Sequence, residues 1–160
     1  MRPCKPFKRL SGDQASAKNS FNLTKVFIDT NVWFSAFYES INANKILKAH
    51  VDKKFKAVIN QQVLDELVKN IKLKIPESAG PLQTFLEAAP PQIIRNPERI
   101  SGTVRRLVNL KDQGILQSAI NCRAEFFCTG NLKHFSAVKI RSRYNLQVLS
   151  PAQMVKLFKL

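Results

Sequence analysis

The chain is short of acids, of cysteine and of long apolar runs, and each shortage removes a class of protein. Only 11 Asp and Glu stand against 26 Lys and Arg in 160 residues, a formal net charge of +15. That excess draws a protein toward polyanions, with RNA or DNA ahead of an anionic membrane surface, or it serves solubility alone; it does not speak to fold. The three cysteines, Cys4, Cys122 and Cys128, are an odd number without the paired short spacings of a zinc site, so no disulfide framework is expected. Ordinary thiols of a reducing compartment fit them. The longest apolar stretch, Val26 to Tyr38, is broken by Asp29 and Asn31 and falls well short of the ~20 residues that a membrane-spanning helix needs. A soluble, cytoplasmic protein without a membrane span is therefore expected. Internal repeats and low-complexity tracts are missing as well, and the length suits one domain with a sizeable core.

What is present is alternation. Residues 1–24 carry Arg2, Lys5, Lys8, Arg9 and Lys18 against Asp13, without the apolar segment of a secretory signal; they read as a basic, flexible leader, with an organelle transit peptide as the alternative. From residue 25 onward, short apolar runs alternate with helical patterns. Residues 25–29 and 56–60 read as buried strands, each followed by apolar positions at helical spacing: Ile46, Leu47 and Val51 after the first, then Val63, Leu64, Leu67, Val68, Ile71 and Ile75 after the second. A short helix over 81–89, a strand candidate at 91–95 and an irregular, turn-rich connection over 96–110 come next. Ile115, Leu116, Ala119 and Ile120 form a helical face, 125–129 and 145–149 read as strands, and 151–160 as a closing helix with Pro151 in its first turn. Strands alternating with helices predict an α/β fold with a central, mostly parallel sheet covered on both faces.

In such sheets ligands collect at the carboxyl ends of strands, and Asp29 stands at one. Asp, Thr and Asn are also helix N-caps, so from the residues alone Asp29 is either a cap or a site. Asp65 and Glu66 both lie off the apolar stripe of their helix, and periodicity does not choose which faces a cleft. Asp112 precedes a helical face and is likewise a cap or a site, while Thr129, Gly130 and Asn131 form a polar turn at another strand end.

Four blocks then carry a resemblance in order and spacing: "VFIDTNVWFSA", "VLDELVKNI", "KDQGILQSAINCRAEFFCTGNLKHF" and "VLSPAQMVKLF". Over residues 25–160 the chain resembles the PIN domain, the fold of many toxin ribonucleases of bacterial toxin–antitoxin pairs. The resemblance implies a three-layer α/β/α nuclease domain in which metal-binding acids line a pocket at the strand ends. It matches the family's first acid to Asp29, with Thr30 and Asn31 as polar neighbours, the second to Glu66 just before Leu67, and the third to Asp112, three residues before Ile115. Where many members have a fourth aspartate after "TG", this chain has Asn131.

The resemblance implies a metal-dependent endoribonuclease, the toxin component of a toxin–antitoxin pair, with Mg²⁺ or Mn²⁺ as cofactor, RNA as substrate, a cognate antitoxin as partner and a homodimer as assembly. The alternative is a PIN-fold RNA-binding module with weak or no cleavage, which the Asn131 departure permits. In-line hydrolysis of a phosphodiester needs neutralised phosphate oxygens and an activated water, and a hard cation held by carboxylates provides both. Asp29, Glu66 and Asp112 are the expected catalytic and metal-binding residues; Thr30, Asn31, Thr129 and Asn131 support them. From Phe126 to Leu160 there is no acid, and Lys133, Lys139, Arg141 and Arg143 are the expected contacts to the RNA backbone. His134 reads as a surface or turn histidine, His50 has no partner in sequence, and Trp33, Phe34 and Phe37 read as packing, in the core or at a dimer interface.

Overall fold

Val26, Phe27 and Ile28 have no polar side chain to offer water. In the computed structural model, which describes residues 23–160, they form the middle strand of a sheet, with every one of them buried. This strand, β1 (Lys25–Ile28), is flanked by β2 (Lys56–Asn60) and β4 (Phe126–Cys128), and β3 (Gln92–Ile94) and β5 (Gln147–Leu149) lie at the edges, in the order β3-β2-β1-β4-β5. Val26 is level with Ala57 on one side and with Phe126 on the other. The sheet is parallel throughout, where the sequence predicts only a mostly parallel one. Parallel strands need helical crossovers, and these cover both faces, so β1 and β2 are apolar on both sides.

The helices are α1 (Thr30–Tyr38), α2 (Ile41–Val51), α3 (Gln61–Lys74), α4 (Ala79–Ala88), α5 (Gly102–Leu107), α6 (Leu110–Asn121), α7 (Ala137–Tyr144) and α8 (Pro151–Phe158). Trp33, Phe27, Phe55 and Phe127 are the largest fully buried side chains, and the Phe27 and Phe127 rings from neighbouring strands lie 5.9 Å apart. His50, without a partner in sequence, is held by backbone groups brought to it by the fold: Nδ1 accepts from the Ala57 N–H at 3.3 Å and Nε2 lies 3.1 Å from the Ala89 carbonyl. No helix among the described residues is long and apolar enough to cross a membrane.

Three departures have local causes. The helical pattern after β1 is two helices, because Glu39 takes φ 138° and Ser40 caps α2 by accepting from the Ala43 N–H at 3.1 Å. The connection 96–110 contains α5, started by Ser101, whose Oγ accepts from the Val104 N–H at 3.2 Å. A further helix, α7, occupies a stretch for which the sequence predicts no element. Each of these last two helices has one buried residue, Val104 or Ile140, so neither shows an apolar stripe. The leader predicted over 1–24 lies outside the described residues apart from Leu23 and Thr24.

After β3 the chain returns to the middle of the sheet and builds outward from the other side of β1. The reversal opens a crevice beyond the ends of β1 and β4, the place where α/β sheets bind ligands. Asn60 closes the end of β2 in the same way that Asp29 closes β1. It is fully buried; its Oδ1 accepts from the Val63 N–H at 2.9 Å to cap α3, and its Nδ2 donates to Ser118 Oγ at 2.8 Å. Replacing Asn60 with Ala removes both bonds and is predicted to lower stability by about 2 kcal/mol in urea denaturation; a loss below about 0.5 kcal/mol would show that the cap is dispensable.

Candidate active site

Asp29 leaves β1 with its N–H donated to the Cys128 carbonyl at 2.9 Å, which ties the end of β1 to the end of β4. Its side chain is only 5 % exposed. Oδ1 accepts from the Thr30 N–H at 2.8 Å, while Oδ2 accepts from Thr129 Oγ1 at 2.9 Å and lies 3.4 Å from Asn31 Nδ2. Asp29 is thus a helix cap and a crevice carboxylate at once. Thr129 also takes the Asn131 N–H at 3.1 Å, and Gly130 donates its N–H to Asn31 Oδ1 at 2.8 Å. A Cβ on Gly130 would sit 3.1 Å from that oxygen, so any larger residue there would push the Asn31 amide back by a few tenths of an ångström.

Glu66 reaches the crevice from α3, where it accepts from Thr30 Oγ1 at 2.9 Å and from Gln62 Nε2 at 3.1 Å. Asp65 points elsewhere: it is exposed and accepts from Gln61 one turn back. Asp112 is not the cap of α6, which is Asn109; it stands in the first turn and is buried. Its Oδ2 has no hydrogen-bond partner, and the His134 ring approaches that oxygen to 3.5 Å through Nδ1.

Asp29, Glu66 and Asp112 therefore line one cleft of about 220 Å³, together with Thr30, Asn31 and Asn131. A hollow of about 600 Å³ beside His50 and Phe55, at the starting ends of β2 and β3, is larger, but no carboxylate lines it. Among the described residues no three His, Cys, Asp or Glu side chains close into a ready metal cage. The acids share the cleft, where Asp29 and Glu66 rest on their hydroxyl and amide donors.

The electrostatics follow from crowding and burial. Burial pushes the Asp29 carboxyl up to about 6; the bonds from Thr129 and Thr30 oppose this, and the charges of Asp112 and Glu66 add to it. Asp112 is raised too, first by burial and then by Glu66, against the pull of His134 and Lys111. Burial likewise raises the Cys128 thiol beneath the site, which leaves it a core residue without nucleophilic character.

The sequence profile of the PIN domain family matches residues 25–133, more than half of the chain. The chain belongs to the PIN domain family. PIN domains are generally nucleases, and the parallel five-stranded sheet fits the fold. Among solved structures, the chain is similar to one from the crystal structure of VapBC2 from Rickettsia felis bound to a DNA fragment from their promoter, with 21% identity, a TM-score of 0.57, and coverage of 79% of this chain and 98% of that one. That likeness is one of fold. No match was found among curated proteins.

The cleft also contains groups that the sequence pattern does not single out. Phe34, Asn70, Lys74 and Lys111 also line the cleft. The packing expected of Trp33, Phe34 and Phe37 is present: Trp33 and Phe37 both meet Phe85, and the half-buried Phe34 packs against the core while also bordering the crevice. The signal was available in spacing, since Glu66, Asn70 and Lys74 recur every four residues. Of the basic residues expected to hold RNA, Lys133, Lys139, Arg141 and Arg143 are all exposed, but none lines the cleft. Lys139 and Arg143 share one side of α7, and Arg141 lies on another.

A carboxyl whose folded pKa is raised favours folding below its unfolded value and works against it once charged. The difference between about 6 and an ordinary 3.8 corresponds to at most about 3 kcal/mol, lost as pH rises from about 4 to above 6. Metal-free wild type should therefore lose stability relative to Asp29→Asn across that window in paired urea titrations. A difference that does not change with pH would mean that the Asp29 carboxylate is not destabilised by its surroundings.

Proposed function

We propose that the chain is a metal-dependent endoribonuclease that hydrolyses RNA phosphodiester bonds, with Asp29, Glu66 and Asp112 as its catalytic carboxylates. The observation that carries this reading is the cleft: acids from three elements open into one hollow at the strand ends, and a buried oxygen of Asp112 is left without a hydrogen-bond partner. Such an orphan oxygen is costly in an empty site and useful in a loaded one. The donors are carboxylate and amide oxygens, with no thiolate among them, which suits a hard cation rather than zinc. Asp29, Glu66 and Asp112 would hold Mg²⁺ or Mn²⁺, with Asn131 adding an uncharged oxygen. When bound, such an ion supplies charge neutralisation at the phosphate and a water activated near neutral pH.

The chain's own groups do the positioning. Thr129 and the Thr30 N–H fix the Asp29 carboxylate, the Thr30 hydroxyl fixes Glu66, and Asn31 holds the Gly130 turn against them. Lys74 and Lys111 bring positive charge into the cleft beside the acids, where a phosphate would sit. Lys133, Lys139, Arg141 and Arg143 are read as holding the RNA backbone outside it, which gives affinity without sequence choice. The likeness to VapBC2 supports the toxin half of a toxin–antitoxin pair, with an antitoxin protein as partner and a homodimer as assembly. The second reading, an RNA-binding module with weak or no cleavage, is favoured by one observation: the uncharged Asn131 at the cleft where another acid would add charge.

RNA incubated with the purified chain and Mg²⁺ should be cut, EDTA should stop cutting, and Asp29→Asn should slow it by about 100-fold or more. Cleavage that survives in that variant rejects the assigned site; binding without any cleavage selects the second reading. In titration calorimetry Asn131→Asp is expected to tighten Mn²⁺ binding and Asp112→Asn nearly to abolish it. Unchanged affinity in a folded Asn131→Asp chain would take position 131 out of the ion's surroundings. If six or more basic groups touch phosphates, RNA affinity should fall by about three decades between 50 and 200 mM salt; a flat response would remove the basic surface from the account.

A further inference from the structure

The cleft does not end at its carboxylates. Thr30, Phe34 and Tyr38 stand at four-residue steps on α1, and Glu66, Asn70 and Lys74 at four-residue steps on α3. Residues four apart share one side of a helix, so each set is a row, and eight residues of helix extend about 12 Å. The rows face each other. Thr30 Oγ1 donates to Glu66 at 2.9 Å at the acid end, and farther along Lys74 Nζ lies 5.7 Å from the centroid of the Phe34 ring. Five of these six residues line the cleft; the sixth, Tyr38, is 59% exposed and stacks on Phe34 with centroids 6.1 Å apart and ring planes within 28°.

Phe34 is half-buried and borders the cleft, and Tyr38 is exposed, so these near-parallel rings beside a lysine do more than fill the core against which Phe34 in part packs. Their helix neighbours Trp33 and Phe37 fill that role by edge-on contact with Phe85, at 5.9 and 6.0 Å. We infer that the seam between α1 and α3 is a nucleotide subsite, in which the unpaired base next to the cleaved bond stacks on the Phe34–Tyr38 pair and Lys74 carries the adjoining phosphate. Every base offers a π-face, so the platform accepts any of them, but a base inside a duplex has both faces covered and must first be unstacked. The ligand class is therefore an unpaired ribonucleotide segment running from the acids along the seam. The subsite rests on the nuclease reading of the same cleft, yet it can be tested without cleavage.

The probe is a short single-stranded oligoribonucleotide with 2-aminopurine at alternate positions, whose fluorescence falls on stacking, titrated in EDTA into the full chain carrying Asp29→Asn. Binding should quench the probe, and Phe34→Leu, which keeps apolar volume and removes the ring, should abolish most of the quench and weaken binding about fivefold or more. Lys74→Gln should leave the quench and lower the slope of log affinity against log salt by about 0.7. The same strand annealed to its complement should show no quench that depends on Phe34. If Phe34→Leu loses helicity, Tyr38→Leu at the exposed position takes its place, with the same expected direction. Affinity and quench equal to those of the parent in a folded Phe34→Leu or Tyr38→Leu chain overturn the subsite and leave the nuclease reading standing. A Phe34-dependent quench in a chain that never cuts RNA does the reverse.

Discussion

The carboxylate of Asp29, 5 % exposed at the end of the middle strand, is the constraint around which the surrounding structure is arranged. An acid there must be given donors, and the fold brings three from different places: the first N–H of α1, the Thr129 hydroxyl at the end of β4, and the Asn31 amide. Thr129 can reach it because β4 pairs with β1 in a register that puts Cys128 level with Ile28. The strand order that places β4 beside β1 is therefore also what positions the site. Even with three donors the carboxyl remains raised to about 6, since burial and the two neighbouring acids outweigh them. On the proposed reading that residual instability is the chain's means of binding a cation: mutual repulsion is relieved only when positive charge enters the cleft.

Charge is distributed to match. A chain with a net charge of +15 keeps three of its 11 acids in one hollow and offers lysines at that hollow's edge. The wider basic surface concentrates a polyanion near the protein, and Lys74 and Lys111 continue that attraction into the cleft, beside acids that would otherwise repel a phosphate. Gathering the acids on the crevice also leaves the exposed α7 without any, so its Lys139, Arg141 and Arg143 act unopposed on their own helix.

Legibility from sequence followed burial. β1 and β2 could be read because both faces of each are covered, which makes them short unbroken apolar runs, and α3 because Val63, Leu67 and Ile71 mark its buried side. The helices α5 and α7 could not, since a two-turn helix with one buried residue has no stripe to detect. At the site, residue type and position were readable, but orientation was not. Asp65 and Glu66 are equivalent by periodicity; the family resemblance favours Glu66, and the hydrogen bond from Thr30 holds it in the cleft while Asp65 turns to Gln61 at the surface. Phe34 reads as packing and does pack against the core, but its second place at the edge of the crevice follows only from the way α1 lies on α3. His134 gained its neighbour Asp112 from the short turn after β4, 22 positions along the chain, which no local pattern encodes.

On the proposed reading the three carboxylates hold one divalent cation at the ends of β1 and β4. Crystals grown with Mn²⁺ and measured at the manganese absorption edge test it most directly, because anomalous scattering locates the ion without reference to activity. The account predicts one peak within ligating distance of Asp29, Glu66 and Asp112, at about 2.0–2.3 Å from their oxygens, and no peak there in crystals of Asp112→Asn. An empty cleft in the wild type under saturating Mn²⁺, or a peak held only by surface side chains, would contradict it.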